Sequence, residues 1–163
     1  MNKLWAPWRM DYILGGEEEG CFLCRIVAED NDRENLLLKR GRCCAVVLNR
    51  FPYNNGHLMI FPYRHVSEVA GLNADERLES MDLVAEVLEV FKQSMRPDGF
   101  NVGLNLGRAA GAGLEEHLHL HVVPRWSGDT NFMPVVADTK VIPEALMQLW
   151  DRLNPALNAE DPR

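Results

Sequence analysis

Long apolar stretches are missing from this chain, and their absence excludes the first class of protein. No run approaches the roughly 18 apolar residues that a membrane-spanning helix requires. The N-terminus, which begins Met1-Asn-Lys-Leu-Trp5, also lacks the apolar core of a secretory signal peptide. We therefore expect a cytoplasmic protein with no membrane partner, in which the four cysteines stay reduced.

The chain has fewer basic than acidic residues. The chain has 17 lysines and arginines against 24 aspartates and glutamates, which gives a formal net charge of −7. A nucleic-acid-binding protein should present a basic face, so this balance argues against a nucleic-acid partner. A small phosphorylated ligand is still compatible with the composition, but local donors must bind it because the overall field repels anions.

Internal repeats and low-complexity segments are absent as well. A length of 163 residues with 47% hydrophobic residues suits a single globular domain. We expect that domain to span residues 1–153, with a frayed tail over 154–163 and a loop at Gly15–Gly20.

The hydrophobic pattern predicts an α+β domain with a largely antiparallel sheet. Asn73 is a good N-cap three residues before Glu76, and apolar residues then recur at helical spacing until Pro97 ends a long helix. A C-terminal helix is predicted over Pro143–Leu153, with its proline near the first turn. Short apolar or alternating runs predict five strands, at Leu36–Lys39, Cys43–Leu48, His57–Phe61, Phe100–Leu106 and His117–Pro124.

Histidine is scarce, yet three of the five histidines fall within five residues, at His117, His119 and His121. Alternate residues of a strand share a face, so these imidazoles should project together, about 7 Å apart, while the intervening leucines enter the core. Imidazole can attack phosphorus or transfer protons near neutral pH. The pattern predicts a reactive face, with a metal site made of all three histidines and an ordinary amphipathic strand as alternatives.

The loop Gly107–Gly113, directly before the histidines, consists mainly of small residues. Small side chains let backbone N–H groups converge on phosphate oxygens, so the loop predicts an anion-binding segment. A flexible turn is the alternative.

The run His117-Leu-His-Leu-His-Val-Val123 resembles the signature of the histidine-triad (HIT) family of nucleotide hydrolases and transferases. The resemblance continues through Asn54-Asn-Gly-His57 and Asn105-Leu-Gly107 and covers roughly residues 21–134. The flanking segments Trp5–Tyr12 and Arg125–Phe132 are most similar to the bacterial branch that contains diadenosine tetraphosphate phosphorylases.

This resemblance implies the catalytic residues. His119 corresponds to the nucleophile, which attacks the α-phosphate to form a nucleotidyl-histidine while a backbone carbonyl holds its other ring nitrogen. His121 corresponds to the residue beside the transferring phosphate and its leaving group, His57 supports it, and His117 completes the triad. Asn49 corresponds to the position that binds the ribose hydroxyls, and Asn105 to one that faces the phosphates. The full set of nucleotide-binding positions implied by the resemblance is Asn49, Asn105, Gly111, Ala112, Gly113, Leu114 and His121.

Cys21-Phe-Leu-Cys24 has the two-residue spacing of a zinc knuckle. His65 and His117 can complete a four-coordinate Cys₂His₂ site, and the resemblance implies the same ligands, as in zinc-containing members of the family. We therefore expect one structural zinc ion. A redox-active cysteine pair, for which the surrounding βαβ pattern is missing, and two buried reduced cysteines are the alternatives.

The resemblance further implies a five-stranded antiparallel sheet with one long helix, and a homodimer. Many hydrolases of the family carry a glutamine in the phosphate loop, where this chain has Gly111-Ala-Gly113, so we expect phosphorolysis of dinucleoside polyphosphates. Arg108, Arg125 and Arg9 are candidate cations for the acceptor phosphate. The alternatives are hydrolysis of dinucleoside polyphosphates or nucleoside phosphoramidates and, in another class, a nucleotide sensor or scaffold without turnover.

Overall fold

The structure is a computed structural model that describes residues 20–110, 113–129 and 142–159. Within these ranges one sheet of five strands runs in the order β1-β2-β3-β5-β4, and every neighbouring pair is antiparallel. The predicted α+β fold with a five-stranded antiparallel sheet is confirmed. The strands are β1 (Leu37–Arg40), β2 (Cys44–Leu48), β3 (Leu58–Pro62), β4 (Gly99–Leu104) and β5 (Leu120–Arg125).

Three helices accompany this sheet in the described ranges: α1 (Phe22–Ala28), α2 (Ala74–Ser94) and α3 (Leu146–Leu157). None of the helices in these ranges is both long and apolar enough to cross a membrane.

The long helix α2 begins as the sequence predicts. The Asn73 side chain accepts from the Glu76 backbone N–H, and the Glu76 carboxylate accepts in return from the Asn73 N–H, so a complete capping box is present. The buried face of α2 is narrower than the apolar repeat suggests, because Leu78 and Met81 are exposed. The residues that α2 buries against the sheet are Leu83, Val84, Val87 and Phe91.

The histidine segment differs from the prediction at its start. Strand β5 begins at Leu120, so His117 and His119 lie in the chain that leads into it. The Leu118 N–H bonds to the Val66 carbonyl, outside the sheet, and the chain bends at His117.

Strand β4 also differs, because it was predicted to be half-buried and most of it is exposed. It lies at the edge of the sheet, where Phe100 stacks on Phe91 of α2 but Val102 and Leu104 are 43% and 37% exposed.

The C-terminal helix lies further along the chain than predicted. It starts at Leu146 instead of Pro143 and continues to Leu157, where a frayed tail was expected. Leu149, Leu153 and Leu157 are fully or almost fully buried, because their spacing of four residues puts them on one helix face. Burial of Leu157 is the reason that the tail prediction is wrong for the first residues after 153.

Candidate active site and metal centre

The three clustered histidines divide into two groups. The rings of His119 and His121 meet edge to face, with centroids 4.8 Å apart. His117 turns instead toward Cys21, Cys24 and His65. The prediction that all three imidazoles share one face is therefore wrong, because His117 lies in the bent segment ahead of β5. A metal site made of the three triad histidines does not form either.

His119 is held in one ring orientation by the chain beside it. Its Nδ1 lies 2.8 Å from the His117 carbonyl oxygen, so Nδ1 carries the proton and donates it there. The lone pair is therefore on Nε2. The His119 residue is only 8% exposed. A buried, oriented imidazole with a free lone pair has the chemistry of a nucleophile.

A hydrogen-bond chain fixes the protons of the other two imidazoles. The Tyr53 backbone N–H donates to His57 Nδ1 over 3.0 Å, so the His57 proton lies on Nε2. That proton is donated to His121 Nδ1, 2.9 Å away, which leaves the His121 proton on Nε2. Asn105 Nδ2 lies 3.4 Å from His121 Nε2; both nitrogens then carry protons, so this approach sets two donors side by side and is not a hydrogen bond. The chain therefore presents an N–H donor from His121 beside His119.

Both of these imidazoles are electrically neutral at physiological pH. Burial, together with the nearby His121 and His119, lowers the pKa of His57 to about 3. Burial, together with the nearby His119, lowers the pKa of His121 to about 4. Their donor and acceptor roles therefore follow from the tautomers above and not from a shared positive charge.

The predicted Asn49 lies beside this chain. Its side-chain amide is 3.3 Å from His57 Nδ1, and its Oδ1 accepts from the Phe51 N–H. Tyr53 was not predicted. Its ring packs 4.4 Å from His57 and 5.7 Å from His121, centroid to centroid, yet the residue is 54% exposed. The only sequence signal is an aromatic residue four positions before His57.

The phosphate loop is described in part. Gly111 and Ala112, like Arg9, lie outside the described residues. Gly113 is exposed, and Leu114 is half-buried against the hydrophobic core. Before them, Gly107 adopts a φ of +77°, which glycine tolerates without strain. The Arg108 side chain is 93% exposed and pairs with Glu115 at 3.1 Å.

An open cleft of about 330 Å³ adjoins His121 and Asn105. It follows β4 and β5 away from His119 and ends near Arg125. The residues that line it are Tyr53, Asn54, Asn101, Gly103, Leu104, Asn105, His121, Val123 and Arg125.

The four predicted metal ligands lie close together. Cys21 precedes α1, Cys24 lies one turn into it, His65 follows β3, and His117 precedes β5. Cys21 Sγ lies 3.2 Å from His117 Nδ1, and Cys24 Sγ lies 3.3 Å from His65 Nδ1. One ligand atom from each of the four residues lies within 4.8 Å of the others. Neither cysteine is in a disulfide.

The chemistry of this donor set fits a metal ion. His117 donates its Nε2–H to the Pro62 carbonyl oxygen over 2.8 Å, which leaves the Nδ1 lone pair pointing to the cluster. Such a hydrogen bond to a backbone carbonyl is the usual outer support of a metal-bound histidine. Two thiolates and two imidazoles in this arrangement can hold one ion in tetrahedral coordination.

A second group of cysteines has a structural role instead. The Glu79 carboxylate accepts hydrogen bonds from the backbone N–H groups of Arg42, Cys43 and Cys44 and from the Cys43 thiol. Burial, with the Glu79 carboxylate beside it, raises the pKa of the Cys43 thiol to about 12, so this thiol stays protonated. Glu79 therefore closes the β1–β2 turn, and its occupied lone pairs leave little for a metal.

Comparison with known proteins agrees with this geometry. The model of the HIT domain matches residues 30–128. AP-4-A phosphorylase from Mycobacterium tuberculosis is 43% identical over 154 residues, which cover 90% of this chain and 79% of that protein. Bis(5'-nucleosyl)-tetraphosphatase [asymmetrical] from Schizosaccharomyces pombe is 28% identical over 90 residues, which cover 55% of this chain and 49% of that protein.

Solved structures show the same fold. A zinc-bound histidine triad family protein from Mycobacterium smegmatis superposes with a TM-score of 0.67 at 22% identity, covering 85% of this chain and 93% of that one. A histidine triad nucleotide-binding protein from Sulfolobus tokodaii gives a TM-score of 0.66 at 24% identity, with coverages of 84% and 91%. The matched domain includes the whole triad, and the resemblance found in the sequence is confirmed: this chain belongs to the histidine-triad (HIT) family.

Proposed function

We propose that this protein is a nucleotidyltransferase that cleaves dinucleoside polyphosphates, such as diadenosine tetraphosphate, by phosphorolysis. The observation that carries the proposal is the state of His119, whose Nδ1–H is bound by the His117 carbonyl so that Nε2 is free to attack. The similarity to a mycobacterial protein named AP-4-A phosphorylase supports this choice of substrate.

In the first step, His119 Nε2 attacks the α-phosphorus of one nucleotide. A P–N bond forms, the P–O bond to the β-phosphate breaks, and the departing nucleoside triphosphate keeps the electron pair. The Nδ1 proton stays on the ring, where the His117 carbonyl stabilises the positive charge of the modified imidazole. His121 Nε2–H lies beside the reacting phosphate and donates to its oxygens, as does the Asn105 amide.

In the second step, an oxygen of inorganic phosphate attacks the same phosphorus. The P–N bond breaks, His119 recovers its lone pair, and the product is a nucleoside diphosphate. Attack by water would give a monophosphate and make the protein a hydrolase. We favour phosphate because the phosphate loop lacks the glutamine of many family hydrolases. The exposed Arg108 guanidinium, near the start of this loop, pairs with Glu115 through Nε and is the candidate cation for the acceptor phosphate.

The remaining binding roles follow the family positions. Asn49 binds the ribose hydroxyls, His57 keeps His121 in its tautomer, and the segment 111–114 binds the phosphates. The contact between Asn49 and His57 supports the first of these roles, because it places the amide at the edge of the site.

We propose that the Cys21, Cys24, His65 and His117 cluster holds one structural zinc ion. Two sulfur and two nitrogen donors are the set that Zn²⁺ prefers, and four protein ligands leave no position for a reacting water. When bound, the ion would tie α1 to the segment that enters β5, and so fix the start of the catalytic strand.

We propose that two copies associate through strand β4. This strand is at the edge of the sheet and has no partner on its outer side among the described residues. Val102 and Leu104 on it, and Leu106 just beyond it, are exposed apolar residues. An uncovered apolar edge of this kind is normally covered by another chain, and a two-fold pair is the commonest arrangement. We place this homodimer in the cytoplasm, without nucleic-acid or membrane partners.

Two measurements test the function. Single-turnover mixing with labelled diadenosine tetraphosphate should yield an acid-labile protein adduct, and steady-state cleavage should require inorganic phosphate and release a nucleoside diphosphate. A nucleoside monophosphate formed at the same rate with and without phosphate would instead show a hydrolase. Tight binding with neither adduct nor product would show a sensor or scaffold.

A further inference from the structure

The cleft beside His121 extends well beyond the atoms that the transfer reaction needs. On β5, His121, Val123 and Arg125 share the cleft face, and β4 places Gly103 opposite His121 and Asn101 opposite Val123. A strand advances about 3.4 Å per residue, so the backbone positions of His121 and Arg125 are roughly 13 Å apart. Gly103 adds no side chain, and an added Cβ would meet nothing within 4 Å. The floor of the cleft is therefore open along this length.

The far end of the cleft carries unused hydrogen-bond donors. The Arg125 guanidinium donates three hydrogen bonds. Nε and Nη2 donate to the two carboxylate oxygens of Asp129, at 2.6 and 3.0 Å, and Nη1 donates to Asn101 Oδ1 at 2.7 Å. A guanidinium has five N–H groups, so two are left without a partner among the described residues. The contacts with Asp129 and Asn101 hold the guanidinium in place while the side chain is still 46% exposed. A fixed, half-exposed guanidinium with spare donors is well suited to phosphate oxygens.

The in-line geometry of phosphoryl transfer indicates which part of the substrate lies toward the Arg125 end of the cleft. His119 must attack the α-phosphorus from the side opposite the leaving group, because the entering and departing atoms of a phosphoryl transfer lie roughly in line. The leaving polyphosphate therefore departs on the side away from His119. The cleft also extends away from His119, from His121 and Asn105 to Arg125.

From this juxtaposition, and on the basis of the function proposed above, we infer that the cleft is a subsite for the leaving nucleotide, in which Arg125 and Asn101 bind its distal phosphates. The subsite is a specificity device for long polyphosphate chains. A nucleoside phosphoramidate, whose leaving group is a single nitrogen, does not extend to it.

The test compares substrates by the length of the leaving group. The rate of adduct formation at sub-saturating substrate reports the first step alone, before any acceptor is involved. The rate constant for diadenosine tetraphosphate divided by that for adenosine phosphoramidate is the specificity ratio. Arg125→Gln should lower this ratio by about tenfold, the effect of one lost charge-assisted contact, and diadenosine triphosphate should show a smaller loss.

Two further variants make the test specific. Asn101→Asp keeps an acceptor for Arg125 but adds a negative charge to the cleft, so it should also lower the ratio while the melting temperature is maintained. Arg33→Gln is the matched control, because the Arg33 side chain is as exposed as that of Arg125, 45% against 46%, and forms a two-pronged ion pair with Asp151, with both contacts at 2.8 Å, away from the cleft. The control should keep the ratio of the wild type.

Each outcome decides the inference. An equal fall for both substrates, a ratio like that of Arg33→Gln, or a change confined to the KM for inorganic phosphate would overturn the leaving-nucleotide subsite. If the wild-type protein forms no adduct with either substrate, the proposed function itself fails, and that result is distinguishable from the others.

Discussion

Replacement of one cysteine of the Cys₂His₂ cluster should remove both the metal and a measurable part of the stability. In Cys24→Ser the hydroxyl is a poor ligand, and the two histidine contacts of that sulfur, 3.3 Å to His65 Nδ1 and 3.5 Å to His117 Nδ1, are lost. Helix α1 has only seven residues, too few to be stable alone, and buries Leu23 and Ile26 in the core. Its attachment therefore depends on this packing and on the proposed zinc ion.

The size of the loss follows from those contacts. Full structural zinc sites contribute about 10–16 kcal/mol in peptides that cannot fold without them. Here the core is already formed by the sheet, so we expect about 3 kcal/mol, comparable to loosening one large buried side chain. For a chain of this size, that corresponds to a decrease in melting temperature of about 6–12 °C.

The matched control is Cys43→Ser, which makes the same atomic change outside the cluster. A serine hydroxyl can still donate to Glu79, so this variant should lose about 1 kcal/mol or less. Elemental analysis should find one zinc per chain in the wild type and in Cys43→Ser and almost none in Cys24→Ser, and a chelator should lower the melting temperature of the first two only. A metal-free wild type, with both variants melting together, would refute the reasoning.

Three other predictions concern the histidines and the turn. His119→Asn should abolish the acid-labile adduct and lower activity by about 10³-fold or more, because removing an attacking group lowers the rate by several powers of ten. Residual activity above about one per cent of wild type would rule out the covalent mechanism. His57 and His121 should stay neutral from pH 7 to pH 5 in an NMR titration, and titration of either ring near pH 6.5 would contradict their burial. Their folded pKa values lie below the unfolded value of about 6.5. Their contribution to the free energy of unfolding is therefore complete above pH 6.5 and is lost as the pH falls toward about 3 for His57 and about 4 for His121. Burial alone would raise the pKa of Glu79, but its hydrogen bonds from Cys43 and neighbouring backbone N–H groups lower it. Glu79→Gln should therefore lower the free energy of unfolding by about 1–3 kcal/mol at pH 7, and by less as the pH falls through the carboxyl pKa. A difference that stays constant with pH would contradict a charged Glu79.

Much of the fold was predictable because local signals and tertiary contacts agree. The capping residues Asn73 and Glu76 begin α2 where the sequence predicts, and the hairpin that β1 and β2 form follows its two apolar runs. The prediction failed where packing overrides local pattern. Pro143 suggests a helix start, yet burial of Leu153 and Leu157 decides where α3 lies. Helix α1 is too short for its periodicity to be detected.

The sequence predicted which residues gather at the candidate site but not how the three clustered histidines are arranged. Alternation along a strand placed His117, His119 and His121 on one face, but that inference requires a regular strand. The bond from the Leu118 N–H to the Val66 carbonyl ends the regularity two residues before β5, and no sequence pattern reveals such a contact. Tyr53 was missed for a related reason, since its contribution includes a backbone N–H, which any residue other than proline could supply.

His117 contributes its ring to the proposed metal cluster and its backbone carbonyl to His119, which explains why the cluster and the proposed nucleophile occur two residues apart. Its ring points into the cluster and its Nε2–H is bound by the Pro62 carbonyl, while its own carbonyl accepts the Nδ1–H of His119. The peptide group of His117 cannot rotate freely when the ring is fixed at both nitrogens. The orientation of the proposed nucleophile therefore depends on residues outside the proposed reacting groups, and loss of the proposed zinc ion should weaken catalysis even though four protein ligands leave it no open position for chemistry.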